Sequence, residues 1–237
     1  MKPYYEDDRT VIYNGDCREV LPEIARASVD VVLTDPPFFM PAAYYGIKGS
    51  HSGRPLASRS WGDTSVLASF WGQVVDLSIP TLRRTGHLLT FCNGESYPVF
   101  YPEVYRRFDS SSVLVWDKGR IGMGRPWRNQ HELILAARWS GSFSNEHKGC
   151  SNVIKCSPVS QTARVHPVDK PVDLMAELMR PITPVGGTIL DPFAGGGSVL
   201  VAARQSGFRA IGIETEERYC EAIASRLSQG DLFGDAA

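Results

Sequence analysis

Apolar positions recur along the chain in two rhythms. Short aliphatic or β-branched runs, each bounded by polar or turn-forming residues, lie at Thr10–Tyr13, Val29–Thr34, His87–Phe91, Ser112–Trp116, Glu132–Ala137, Thr188–Leu190 and Arg209–Ile213, and predict seven strands. Elsewhere the apolar spacing lengthens to three or four residues, which predicts helices over Arg18–Arg26, Thr64–Arg84, Val172–Met179, Ser198–Ser206 and Glu216–Leu227. The last carries Tyr219, Cys220, Ile223 and Leu227 on one stripe. Strands alternating with helices imply crossover connections, so the expected architecture is α/β, a mostly parallel sheet with helices on both faces.

Two stretches break the rhythm. Residues 39–62 are rich in Gly, Ser, Pro, Tyr and Arg, and residues 140–168 in Ser, Asn and Lys. Loops longer than about 12–15 residues in a compact domain are usually functional or disordered. The whole chain, 237 residues with 43% hydrophobic content, fits a single domain over 1–237 with a full core and excludes a disordered or disulfide-stapled class.

Charge sharpens the picture of the loops. The formal net charge is −1, yet residues 1–35, 63–117 and 181–237 carry −4, −2 and −3, while residues 36–62 and 118–180 carry +3 and +5. Near-neutrality therefore conceals two basic blocks that coincide with the two irregular stretches. A block of this kind attracts a polyanion locally, because screening confines the attraction to about 8–10 Å. The five cysteines, Cys17, Cys92, Cys150, Cys156 and Cys220, are odd in number and scattered, which reads as reduced cytoplasmic thiols. His147, Cys150, Cys156 and His166 match no usual zinc spacing, so no metal is expected. No apolar run approaches the roughly 20 residues that span a bilayer, and no membrane partner is expected.

Candidate chemistry is concentrated in two places. The first is Thr188-Ile-Leu-Asp191-Pro-Phe193-Ala194-Gly195-Gly-Gly197-Ser198, followed on the next strand by Glu214. A buried strand, a glycine-rich turn and a helix N-terminus bring backbone N–H groups against a ligand with no Cβ in the way. An acidic residue 23 positions after Asp191 is placed to accept both ribose hydroxyls. The glycines do not spell the dinucleotide fingerprint, so a cofactor with one nucleoside and no pyrophosphate suits the turn better, S-adenosylmethionine being the obvious one. The second place is Asp35-Pro36-Pro37-Phe38, which ends the strand Val29–Thr34. Two prolines remove two N–H donors and stiffen the turn. The Asp35 carboxylate and the Pro36 carbonyl then form a rigid acceptor pair beside an aromatic face, a set suited to an amino group on a flat ring.

Together these residues resemble the S-adenosylmethionine-dependent DNA amino-methyltransferases, specifically their β class. That class carries its D-P-P-[YF] motif near the N-terminus and its F-x-G-x-G motif near the C-terminus, as Asp35–Phe38 and Phe193–Gly197 stand here. His166-Pro-Val-Asp-Lys170-Pro is similar to the family's H-P-x-x-K-P helix start, and Asn14-Gly-Asp16-Cys17 to its cofactor-contacting N-G-D stretch. Trp116-Asp-Lys118-Gly and His131-Glu132 also fall where the family has related residues. The resemblance implies a Rossmann-like fold with circularly permuted motif order. It further implies a cofactor site of Asp16, Cys17, His166, Lys170, Asp191, Phe193, Ala194, Gly195, Gly197, Ser198 and Glu214, and a catalytic set of Asp35, Pro36, Pro37 and Phe38.

The implied reaction methylates the exocyclic amine of a base flipped out of double-stranded DNA. Adenine N6 is favoured because the cytosine-N4 enzymes more often carry Ser at the position of Asp35; cytosine N4 is the alternative, and an RNA or protein amide substrate is a more distant one. Lys48, Arg54, Arg59, Lys118, Arg120, Arg125, Trp127 and Arg128 are the candidate DNA contacts. Trp127 fits either a base-stacking or a core role. The span 139–165 that would read the target sequence is short, so a short or relaxed site is expected, helped by the insert 39–62. Oligomeric state stays open, a homodimer included. The expected setting is the cytoplasm of a bacterium, the enzyme being bacterial or phage-encoded.

Overall fold

The computed structural model describes residues 1–38, 64–122, 127–140, 149–160 and 169–231. Nine strands form one sheet: β1 (Tyr5–Glu6), β2 (Thr10–Asn14), β3 (Val29–Thr34), β4 (Leu82–Cys92), β5 (Ser110–Asp117), β6 (His131–Arg138), β7 (Val153–Lys155), β8 (Thr188–Asp191) and β9 (Arg209–Glu214). Their order is β1-β2-β9-β8-β3-β4-β6-β5-β7. The five strands from β2 to β4 in that order run parallel, β6 is antiparallel to both β4 and β5, and β7 lies parallel to β5.

The described helices are α1 (Cys17–Val20), α2 (Thr64–Ser78), α3 (Tyr97–Tyr105), α4 (Val172–Met179), α5 (Ser198–Gln205) and α6 (Glu217–Asp231). All six residues of β3 are buried. Val31 and Leu33 join one core layer with α4, α5 and α6, whereas Val32 joins a second with α1, α2 and α3. A strand covered on both faces must be apolar on both faces, which is why Val29–Thr34 reads as a run and not as an alternation.

Topology decides where a ligand goes. From β3 the chain passes by α2 to β4 on one side; from β8 it passes by α5 to β9 on the other. The neighbours β3 and β8 therefore flank the point where the connections diverge, and the crevice beyond their carboxyl ends is the binding position of such sheets.

The sheet has nine strands where the apolar pattern predicts seven. The two additions, β1 and β7, are edge strands of two and three residues, too short to carry a period. Part of the stretch 140–168 is thus sheet and not loop. The helix expected over 64–84 stops at Ser78, because Pro80 sits in a tight turn over Ile79–Thr81 and β4 begins at Leu82. The helix expected over 18–26 is four residues long and gives way to a turn containing Pro22. Helix α3 escapes the sequence pattern, since Pro98 and Pro102 obscure it. The insert 39–62 lies outside the described residues.

Candidate active site

Strand β8 delivers Asp191 to the crevice. Its Oδ1 accepts from the Thr34 hydroxyl at 2.7 Å and from the Phe193 amide at 3.0 Å. Burial pushes this carboxyl up to about 7, with Asp35 and Glu214 adding to the push. The glycine turn follows. Gly197 has φ +81°, and a Cβ there would lie 2.8 Å from Ile223, so only glycine fits. At Gly196 any Cβ would collide with the Asp169 carboxylate.

Glu214, ending β9, holds the turn from the other side. Its Oε2 accepts from the Gly195 amide at 2.9 Å and its Oε1 from the Glu216 amide at 2.8 Å. Because β2 pairs in parallel with β9, Asn14 stands opposite Glu214 and donates to its carbonyl at 3.0 Å. Asp16 caps α1 and is clasped by Arg18, whose hydrogen bonds hold its carboxyl below the usual range. The Cys17 side chain points into the core, where burial pushes the thiol up to about 12.

Asp35 stands at the end of β3, on the same crevice. It is met there by Lys170, the residue before Pro171 at the N-terminus of α4, whose ammonium donates to Asp35 Oδ2. Lys170 is also 3.3 Å from Glu132 Oε2, near the start of β6, and 4.9 Å from the Phe91 ring centroid. Glu132 Oε1 in turn accepts from Lys118 at 2.6 Å, and Lys118 lies 4.9 Å from the Trp116 ring centroid. Burial works against the charge on Lys170, but Asp35 and Glu132 outweigh it and raise its pKa. Burial likewise opposes the charge on Glu132, and the two lysines outweigh it and keep the carboxyl below its ordinary value. The crevice is lined by Asp35, Phe91, Lys170, Asp191, Phe193 and Ser198 among others. Pro36 is buried, Pro37 is half-buried, and half-buried Phe38 packs against the core layer of α2 and α3.

The remaining expected residues divide cleanly. Lys118, Arg120, Trp127 and Arg128 sit on the connection between β5 and β6, at the edge of the sheet that also carries Asp35. Trp127 is 90% exposed, so it is no core tryptophan. Arg128 donates to the Gly122 carbonyl at 2.6 Å and so also braces its own hairpin. His166, Lys48, Arg54, Arg59 and Arg125 lie outside the described residues. Sequence reasoning assigns Lys170 to the cofactor and Lys118 to DNA and gives Glu132 no role, whereas the structure joins all three to Asp35. The signal for Glu132 is an acidic residue opening an otherwise apolar strand.

The DNA methylase family model N6_N4_Mtase matches residues 29–225. The chain belongs to the N6/N4 DNA methylase family. Among its relatives, the type II methyltransferase M2.LlaDCHI of Lactococcus lactis subsp. cremoris is 26% identical, over 98% of this chain and 94% of its own. The methylase YubD of Escherichia coli K12 is 29% identical over 90% and 88%. In fold, this methylase is similar to the Thermus thermophilus DNA modification methylase TTHA0409, solved in complex with S-adenosyl-L-methionine (TM-score 0.71, 22% identity, 93% of each chain). It is equally similar to the cytosine-N4-specific PvuII DNA methyltransferase (TM-score 0.72, 15% identity, 95% of this chain and 88% of that one).

Proposed function

We propose that this DNA methyltransferase transfers a methyl group from S-adenosylmethionine to the N6 amine of an adenine flipped out of double-stranded DNA at a short or relaxed site. The single observation that carries the reading is the meeting of Asp35 and the glycine turn in one crevice at the divergence of β3 and β8. S-adenosylmethionine, when bound, supplies the electrophilic methyl group.

The donor set suits such a cofactor. Asp191 and Glu214 are held by a hydroxyl and by backbone amides, none of which cancels charge, and a cationic sulfonium or ammonium would draw Asp191, which burial lifts to about 7, into its ionised form. A carboxylate offers about four acceptor sites, so Glu214 can accept ribose hydroxyls while holding the turn. The exclusion of a side chain at Gly196 and Gly197 leaves the backbone bare on this side. Asp16 would contact the nucleoside end, and the backbone at Cys17 would act in place of its inward-facing thiol.

On the acceptor side, an exocyclic amine is a weak nucleophile because its lone pair is delocalised into the ring. Hydrogen bonds from its N–H groups to Asp35 and the Pro36 carbonyl localise that pair as attack begins, and they strengthen toward the transition state. As the nitrogen–methyl bond forms, the methyl–sulfur bond would break with its electron pair going to sulfur, and the extra proton on the methylated nitrogen would then pass by way of Asp35 to water. Flipping the base costs a few kcal/mol, offset by stacking on Phe38 and by phosphate contacts from Arg120, Arg128 and the basic residues of 39–62. The chain acts in the cytoplasm as one domain with a small recognition region over 139–165.

The test is to incubate the protein with plasmid DNA and S-adenosylmethionine, digest to nucleosides and weigh them. N6-methyl-2′-deoxyadenosine is expected; N4-methyl-2′-deoxycytidine would replace adenine by cytosine, and unmodified DNA would overturn the reading. Asp35→Ala should lower turnover at least about a hundredfold, equivalent to about 2.7 kcal/mol, with cofactor binding retained. Turnover within tenfold of wild type would remove Asp35 from its role.

A further inference from the structure

We propose that Lys170 is the positioning residue of the Asp35 carboxylate, and that Glu132 and Lys118 complete an alternating row of charges that sets how tightly Lys170 holds it. The inference rests on the reading of Asp35 as the acceptor of the target amine. Three regions of the sequence supply the row: the end of β3, the lead into α4, and the β5–β6 hairpin, which gives both Lys118 and Glu132. Asp35 binds Lys170, Lys170 approaches Glu132 Oε2 at 3.3 Å, and Glu132 binds Lys118 at 2.6 Å. Each ammonium also rests near an aromatic ring, Phe91 and Trp116.

Ion pairs withdrawn from water are a poor source of stability, since apolar side chains of the same volume often serve as well. A row of four largely buried charges in the crevice wall therefore asks for another role, and one end of it is Asp35. The ammonium on Oδ2 fixes the plane of the Asp35 carboxylate and favours its ionised form. Because a carboxylate has several acceptor sites, one donor held by the fold is compatible with a second brought by the substrate. Glu132 draws on the same ammonium and so weakens its grip, keeping Asp35 a strong acceptor. Two carboxylates and two ammoniums sum to zero, which matches a neutral amine. No proton or bond changes hands in the row. Among the described residues, Asp191 on β8 and Cys92 on β4 also face Asp35, and burial together with the Asp35 charge pushes both groups up.

The row also gathers three motifs that neither the cofactor turn nor the base stack employs: Trp116-Asp-Lys118, His131-Glu132 and Asp169-Lys170-Pro171. Their common destination is Asp35.

The experiment compares full-length wild type with Lys170→Met, Lys170→Arg and Glu132→Gln. It measures kcat against pH, the dissociation constant for S-adenosylmethionine by calorimetry, and the Asp35 carboxyl titration by 13C NMR, which needs no turnover. Lys170→Met should lower kcat by about a hundredfold, leave cofactor affinity within about threefold and move both the acid limb of kcat and the Asp35 titration up by about one pH unit. Lys170→Arg should restore the limb. Glu132→Gln should move the same titration down, because Lys170 then serves Asp35 alone. A merely structural role predicts no such opposed shifts. Where Lys170→Met fails to fold by circular dichroism, Lys170→Arg and Glu132→Gln carry the test. An unmoved Asp35 titration in both Lys170→Met and Glu132→Gln, or cofactor affinity falling in step with kcat, overturns the proposal. Absence of methyl transfer by wild type would overturn the amine-acceptor reading, while the Asp35 titration still decides on the row.

Discussion

The two walls of the crevice hold their carboxylates by different means. On the wall built from β8 and β9, Asp191 and Glu214 are gripped by the Thr34 hydroxyl and by amides of Phe193, Gly195 and Glu216. On the wall built from β3 and β6, Asp35 and Glu132 are gripped by Lys170 and Lys118. Amides and hydroxyls orient a carboxylate without cancelling its charge, whereas lysines do both. On the proposed reading, the first wall is suited to a cation and the second to a neutral amine, which would sort the two reactants by charge before shape is considered.

The largest expected consequence of this contrast is in stability. Among the described residues no cation holds the Asp191 charge, and burial lifts its pKa from 3.8 to about 7. The folded protein thus binds this proton more tightly than the unfolded chain. The stabilisation is complete below about pH 4 and is lost as pH rises to about 7, with an upper bound of roughly 4 kcal/mol at about 1.4 kcal/mol per unit. Urea unfolding of the ligand-free protein across pH 4–8 should show wild type losing more stability than Asp191→Asn; parallel curves would break the contrast. A cationic ligand should then bind more tightly as pH rises toward 7.

The next effect is in cofactor affinity. Glu214→Ala, on the amide-gripped wall, should weaken S-adenosylmethionine binding about tenfold or more, about 1.4 kcal/mol. Lys118→Met, on the lysine-gripped wall, should leave it within about twofold. Calorimetry that returns equal losses would merge the two walls into one.

A smaller effect concerns DNA. Arg120 is exposed on the connection between β5 and β6, and Arg120→Ala should reduce the slope of log affinity against log salt by about one. Affinity of the wild type that does not respond to salt would leave the basic segments as solvated surface. The smallest effect expected is thermal: Trp127 is 90% exposed, so Trp127→Ala should shift Tm by less than about 1 °C while weakening DNA binding about fivefold. A large drop in Tm would show that the ring packs after all.

Much of this arrangement is legible in the chain. The apolar run Val29–Thr34 and the turn Asp191–Ser198 announce a doubly covered strand and a strand–turn–helix junction through local pattern alone. Helix α3 is hidden because Pro98 and Pro102 depress helical propensity, while Phe100 and Val104 bury themselves and override it. The partnership of Lys170 with Asp35 is hidden for a different reason. It spans 135 positions in sequence, and no period or motif within either segment encodes which charge will face which. Three of the four residues in the row stand out in the sequence, but two of them point there to other ligands, because residue type specifies a charge and only the sheet order specifies its neighbour.

Asp169 and Gly196 touch where the two walls meet, one residue before Lys170 and one before Gly197. In mechanical terms position 196 is the shim between the jaw proposed to carry the methyl donor and the jaw proposed to carry its acceptor. Glycine makes that shim as thin as the chemistry of a polypeptide allows. A side chain at 196 would displace the Asp169 carboxylate, one residue before the lysine that holds Asp35.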